Sequence, residues 1–307
     1  MQETQELTAA PQGADVDAAA DAPVLPALSE AEGSKAEGAF QTSGFKAAVF
    51  KPMFGNAHQQ YFSPRWLCEA LPPIAEHAFG FDNILPDQRP RLNVIDPTAG
   101  SGRLLAPFKQ AGHYVLGVEL DGRLATVAAR AVGKRAIRQG DVTAYGSLIP
   151  EGRWQVAAIN PPYGLWWPIS HDTYPYELAS DHNVESQHFV MELVTHLLAY
   201  NNGLLLGVFS GKFFDNNPRA AAFLNKHYQV IANVTLPRPF KAEYNIEVDA
   251  AFVVAALDSP YNSRKKPAPL TGKFEGDGPA LVRAVNAAFD QVKRNPYFKP
   301  SLPPGPS

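Results

Sequence analysis

The sequence predicts an α/β protein built on a doubly wound, mostly parallel sheet that ends in an antiparallel hairpin. Three observations carry this reading. Apolar runs rich in β-branched residues alternate with longer segments of helical period. A glycine-bearing turn follows the first of those runs and opens a helix. The last two runs are joined by Pro237 to Asp249, a long connection with no clear helical pattern, as suits an antiparallel pair at one edge.

The first element is a helix over Pro64 to Ala78, with Ser63 as its N-cap and Pro64 in its first turn. Leu92 to Asp96 is the first strand, and Gly102 to Ala111 the helix after its turn. Strand Tyr114 to Leu120 leads into helix Gly122 to Val132, then strand Ala136 to Asp141. Strand Val156 to Asn160 stops at Pro161-Pro162, because consecutive prolines donate no backbone hydrogen bond and each fixes its own φ. Helix Glu185 to Tyr200, strand Leu204 to Ser210 and helix Asn217 to His227 continue the alternation. Strands Val230 to Leu236 and Ala250 to Ala256 form the hairpin.

Residues 1–44 read as a disordered acidic arm. The first forty hold eight acidic side chains against one basic, Lys35, and too little apolar surface to offset ordering. The whole chain carries −3 and those forty carry −7, so the remainder carries +4, a mildly basic body compatible with a nucleic-acid partner. Residues 45–258 hold the alternating strands and helices and read as one folded domain. Residues 259–307, Pro- and Lys-rich, read as a C-terminal extension or linker. A single cysteine, Cys68, excludes an intrachain disulfide and points to a reducing compartment, with the cytoplasm as the expected location. No apolar run reaches the ~18 residues of a membrane span, so no membrane partner is expected.

The turn Asp96-Pro97-Thr98-Ala99-Gly100-Ser101-Gly102 lets backbone approach a ligand closely, and the helix behind it favours an anionic group. Glu119 follows about twenty residues on, where an acid can accept from ribose hydroxyls. Together they predict a nucleoside-bearing cofactor. A dinucleotide fingerprint would need a third glycine, where this chain has Leu105.

With DPTAGSG, GVELD and NPPYG in this order, the chain resembles the S-adenosylmethionine-dependent amino-methyltransferases, and specifically the DNA adenine-N6 group. The resemblance spans roughly residues 58 to 257. It implies a Rossmann-like methyltransferase fold with S-adenosyl-L-methionine as cofactor and DNA as substrate. By match, Asp96, Pro97, Gly100 and Gly102 hold the cofactor's methionine part, Glu119 its ribose and Asp141 its adenine amine. Tyr61-Phe62-Ser63-Pro64 looks like the segment that such enzymes set against the methionine end, which places Tyr61, Ser63 and Pro64 at the cofactor as well.

An exocyclic amine is a poor nucleophile because its lone pair is delocalised into the ring. Acceptors on its protons favour a tetrahedral nitrogen and stabilise the charge that develops. The Asn160 side-chain carbonyl and the Pro161 backbone carbonyl are the expected acceptors, with Asn160 also touching the cofactor. Pro161 and Pro162 stiffen them, and Tyr163 offers a face on which an extruded base stacks. Asparagine rather than serine at the first position shifts the resemblance from cytosine toward adenine.

Phe240 is expected either on the base's other face or as a core anchor of the hairpin. Lys212 is expected at the site's border on a phosphate, or simply solvated. The aromatic stretch 165–188 reads as a lid, with Trp166, Trp167 or Tyr174 stacking nucleotides. His171, His182 and His188 match no tetrahedral zinc spacing, so no metal is expected. A separate target-recognition domain is missing, which leaves DNA reading to the lid, to a fused or separate target-recognition or helicase-type partner, or to little preference at all. Two other functions compete: methylation of a protein glutamine amide, which presents the same lone-pair problem, and a non-catalytic cofactor-binding or DNA-docking module.

Overall fold

A computed structural model describes residues 62–168, 177–179, 183–198, 203–258 and 266–293. Tyr61, Tyr174, His171, His182, the acidic arm and the Pro-rich terminus lie outside them.

Eight strands form one sheet in the order β10-β8-β9-β7-β4-β1-β2-β3. Five consecutive strands from one edge of it, β3 (Ile137–Gln139), β2 (Tyr114–Glu119), β1 (Asn93–Asp96), β4 (Val156–Ile159) and β7 (Leu204–Ser210), are all parallel. Strand β9 (Ala250–Leu257) runs antiparallel to both β7 and β8 (Tyr228–Leu236). Two short strands, β5 (Trp166–Pro168) and β6 (Asn183–Glu185), pair apart from the main sheet. The doubly wound, Rossmann-like prediction holds, with every predicted strand within two residues of its observed bounds.

Strands buried on both faces read as continuous apolar runs, and β4, β7 and β9 do. Val156 and Ala158 point into one core, Ala157 and Ile159 into the other. The first core is closed by helices α1 (Arg65–Ala78) and α2 (Leu105–Gln110), the second by α5 (Ser186–Leu198) and α7 (Pro218–His227). Helix α3 (Gly122–Val132) starts where Asp121 accepts from the Arg123 and Leu124 amides at 2.8 and 3.2 Å, satisfying two donors that have no helical partner. Helix α1 carries Pro72 and Pro73 in its interior, where each lacks a donor. Burial of Leu67, Leu71, Ile74 and Ala75 holds the helix nonetheless. The one-turn helices α4 (Tyr145–Leu148), α6 (Phe213–Asn216) and α8 (Lys241–Tyr244) lie in connections.

Two expectations are corrected. The hairpin is not the sheet's edge, because β10 (Leu270–Lys273) adds parallel to β8. Nor are residues 270–293 a linker: they supply β10 and helix α9 (Gly278–Lys293), which packs on α1. The proline- and lysine-rich composition around 263–267 hid this, although Leu281, Val285 and Phe289 stand at helical spacing and are wholly buried. At Gly278 a Cβ would fall 2.8 Å from the Trp66 carbonyl, so a larger residue there would push the two helices apart.

Phe289→Ala should therefore cost about 3–5 kcal/mol, the usual range for emptying an aromatic site in a core. Urea unfolding measures it; a loss below about 0.5 kcal/mol would mean that α9 is not part of the domain.

Candidate functional site

The strand order reverses between β1 and β4, and a crevice opens there at the carboxyl ends of the strands, as expected of open α/β sheets. It is a cavity of about 350 Å³. Four chain segments reach it in the order of the strands beneath: Gly140–Thr143 after β3, Val118–Asp121 from β2, Asp96–Leu104 after β1, and Asn160 and Pro162 after β4. Phe62 and Ser63 close the near end, and Leu165, Trp167 and Pro168 form a rim.

The glycine turn is left-handed at Gly100 and Gly102, with φ of 55° and 77°, which other residues adopt only under strain. A Cβ on Gly100 would also come 3.3 Å from the Phe62 ring. The turn is tied to β2 by the Ala99 amide, which donates to the Val118 carbonyl at 2.8 Å. Glu119 clamps it further. Its Oε2 accepts from the Gly100 amide at 2.7 Å and its Oε1 from the Asp121 amide at 2.8 Å. Each carboxylate oxygen keeps a lone pair for a hydroxyl in the cavity.

Asp96 and Glu119 are both buried. Desolvation raises the Asp96 carboxyl to about 7 and pushes Glu119 up as well, against the amide bonds that favour their ionised forms. Asp96 accepts from the Thr98 amide at 3.0 Å, and Asp141 from the Thr143 amide and hydroxyl at 2.9 and 2.8 Å. The Ser101 hydroxyl is buried in the wall with no partner. A polar ligand fits such a wall.

The Asn160–Tyr163 turn is held from both sides. Asn160 Nδ2 donates to Ser63 Oγ at 3.0 Å, which fixes the amide's orientation. Ser186 Oγ donates to the Pro162 carbonyl at 2.6 Å, and the Gly164 amide to Glu185 Oε1 at 2.9 Å. Glu185 also accepts from the Gln187 and His188 amides at 3.0 and 3.2 Å, capping α5. Ser63 does not cap α1, as the sequence had allowed; Pro64 takes the N-cap position with no side-chain cap, and the hydroxyl serves Asn160 instead.

Tyr163 faces a second cavity of about 420 Å³, bordered also by Glu185, Gln187, Ser210, Lys212, Phe213 and Asn216. Lys212 is one of the residues on the border of this second cavity. Phe240 is not at the site: it is 0% exposed in the core and lines neither cavity, so it acts as the hairpin's anchor. Phe213 is the aromatic residue that borders the second cavity beside Tyr163. Trp166 stands 62% exposed outside both cavities, while Trp167 lines the first and packs edge-on against Phe189 at 5.5 Å. Glu185, Ser186 and Arg103 were missed. A Glu-Ser pair opening a predicted helix was the available signal for the first two.

Among the described residues no group of His, Cys, Asp and Glu is gathered to hold a metal ion. No described helix is long and apolar enough to cross a membrane.

No family model matches the chain, and no curated protein does. Solved structures do share its fold. One is a Listeria monocytogenes protein assigned to the class I S-adenosylmethionine-dependent methyltransferases, 15% identical, with a TM-score of 0.58 over 76% of this chain and 73% of that one. Another is the type I restriction-modification system methyltransferase subunit from Streptococcus thermophilus, 14% identical, with a TM-score of 0.55 over 84% of this chain and 62% of that one. The chain therefore shares the overall fold of these two proteins.

Because the folded Asp96 titrates above its unfolded value, it contributes stability at low pH that is lost as pH rises toward and through 7. Asp96→Asn removes that loss. Its stability relative to the native chain, measured without ligand, should improve by about 2–3 kcal/mol between pH 5 and pH 8, and a difference independent of pH would contradict the assignment.

Proposed function

We propose that the protein transfers a methyl group from S-adenosylmethionine to the exocyclic N6 amine of adenine in DNA. The observation that carries this is the placement of the Asn160–Tyr163 turn between two cavities, with Asn160 and Pro162 in the wall of one and Tyr163 in the wall of the other.

The first cavity fits the cofactor. Buried acids, an unpartnered Ser101 hydroxyl and a glycine turn with positive φ at Gly100 and Gly102 make a polar seat for a charged nucleoside. Asp141 would hold the adenine end, Glu119 the ribose and the glycine turn the amino-acid end, with Ser63 and Pro64 beside it. When bound, the cofactor supplies an electrophilic methyl group on a sulfonium.

This chain's residues supply the rest. The Ser63 bond takes the amide nitrogen of Asn160, which directs the amide oxygen to one proton of the incoming amine. The Pro161 carbonyl is the acceptor assigned to the other proton, with the neighbouring Pro162 carbonyl held by Ser186. These acceptors stabilise positive charge developing on the nitrogen and need little rearrangement as it forms. No dedicated base is needed before attack, since the amine proton becomes strongly acidic only after methylation. The extruded base lies against Tyr163 in the second cavity, with Phe213 at its border and Lys212 near the backbone phosphate.

The fold shared with a restriction-modification methyltransferase subunit supports DNA as the substrate class. Residues 270–293 are spent on the sheet and its helical layer, so sequence reading falls to the 165–188 segment or to a fused or separate target-recognition or helicase-type partner.

Purified protein given labelled S-adenosylmethionine should label mixed-sequence DNA, and neither RNA nor a release-factor-like protein. Label on protein alone would instead indicate glutamine methylation, and cofactor binding with no label anywhere a docking module. In the same assay Asn160→Ala should lose transfer by about 10²-fold or more while its cofactor affinity changes less than about threefold. Equal losses of both would contradict the role given to the amide.

A further inference from the structure

Charge is distributed unevenly between the two ends of the sheet. Strands β1 to β4 run parallel, so their amino ends share the end opposite the crevice. The connections that reach that end carry Arg91 before β1, Lys109 before β2, Arg130, Lys134 and Arg135 before β3, and Arg153 before β4. All are exposed, and none forms an ion pair with another described residue. The acids of the same connections are Asp87 and Glu151, and Glu151 already faces His196 at 3.5 Å. The chain as a whole carries −3, so composition does not account for such a concentration of cations. At the crevice end, by contrast, the exposed cations Lys212 and Lys241 stand among the exposed acids Asp215, Glu247 and Asp249.

Lys109 and Arg130 lie in the last turns of α2 and α3, where a cation also offsets the negative end of its helix. Arg91 and Arg153 lie at no helix end; the sheet brings them together. Asn93 Nδ2 donates to the Arg153 carbonyl at 2.8 Å, which sets the approach to β4 beside the start of β1. Arg91 crosses to β2. Its guanidinium carbon lies 5.4 Å from the centre of the Tyr114 ring, and its Nη1 donates to Tyr114 Oη at 3.3 Å. Tyr114 is itself 53% exposed. A ring and a guanidinium held side by side in solvent, flanked by further cations, are the combination that tracks a nucleic-acid backbone.

Four neighbouring strand ends at ~4.8 Å spacing make a stripe about 15 Å across, on the scale of a duplex groove. None of these cations lines either cavity, so the stripe meets phosphates rather than base edges. Taking DNA as the substrate class proposed above, we propose that this amino-end face is a second, sequence-independent contact for duplex DNA, on which Arg91, Arg130, Lys134, Arg135 and Arg153 neutralise phosphates. Counterions released from the duplex drive the contact. A duplex is stiff over the length of one domain, so the segment held here is not the segment whose base enters the crevice.

Fluorescence anisotropy of the full chain on a labelled mixed-sequence duplex of about 12 base pairs, without cofactor and across a salt series, tests this. Lys134→Gln/Arg135→Gln should weaken binding about fivefold or more at ~0.1 M salt and lower the slope of log affinity on log salt by about 2. Arg91→Gln should lower the slope by about 1. The same charge change at two exposed cations elsewhere, Lys273→Gln/Arg283→Gln, should leave both quantities near native. Thermal unfolding checks that each variant is folded. With S-adenosylmethionine added, Lys134→Gln/Arg135→Gln should keep the native maximal rate of transfer to the same duplex, because the face lies outside the reacting site. Native affinity and slope in that variant, or an equal loss in the control pair, would overturn the proposal. So would a variant that keeps the duplex but no longer binds poly-glutamate, which would assign the face to an acidic protein. Duplex binding lost in the variant, with no methyl transfer to DNA by the native chain, would remove the substrate reading and leave this face a DNA contact.

Discussion

A turn containing two prolines cannot hold itself. Pro161 and Pro162 have no amide hydrogen, so neither donates a backbone hydrogen bond, and side chains brought from elsewhere hold the turn. Ser63, 97 residues away, takes the Asn160 amide; Ser186, 24 residues away, takes the Pro162 carbonyl; Glu185, 21 residues away, takes the Gly164 amide. Three long-range hydrogen bonds thus fix a segment whose two prolines donate none of their own. Their consequence is chemical. Acceptors that do not move at the moment of reaction contribute most to lowering its barrier.

The rest of the site accepts a cost in stability for a similar end. Two carboxyls, Asp96 and Glu119, are buried within the cavity, and burial makes their ionised forms unfavourable. A protein selected for stability alone would place neither there. In the proposed reading the sulfonium and ammonium of the cofactor bring the missing positive charge, so that binding relieves what folding left unbalanced. Arg103 does not relieve it, being committed to Glu243.

Much of this was legible in the sequence because it depends on local chemistry. Glycines at 100 and 102 are needed where φ is positive, Asp121 opens α3, and apolar runs mark the buried strands. Asn160, Glu119 and Asp141 could be placed at one crevice because strand order alone brings the ends of β4, β2 and β3 together. What depends on distant partners was not legible. Nothing local shows that Phe240 turns into the core, that Ser63 bonds the asparagine after β4 rather than capping its own helix, or that a lysine- and proline-rich stretch precedes a strand and a helix docked on α1. Each is decided by packing across the fold, which competes with local propensity and here prevails.

The central claim is that Asn160–Tyr163 presents its acceptors at the reacting end of a nucleoside laid across β3, β2 and β1. A crystal structure with S-adenosylhomocysteine bound tests it most directly. The account places adenine beside Asp141, the ribose hydroxyls on Glu119 and the sulfur facing the Asn160–Tyr163 turn. A ligand bound in the reverse sense, with adenine against Ser63, or bound outside this crevice, would contradict it.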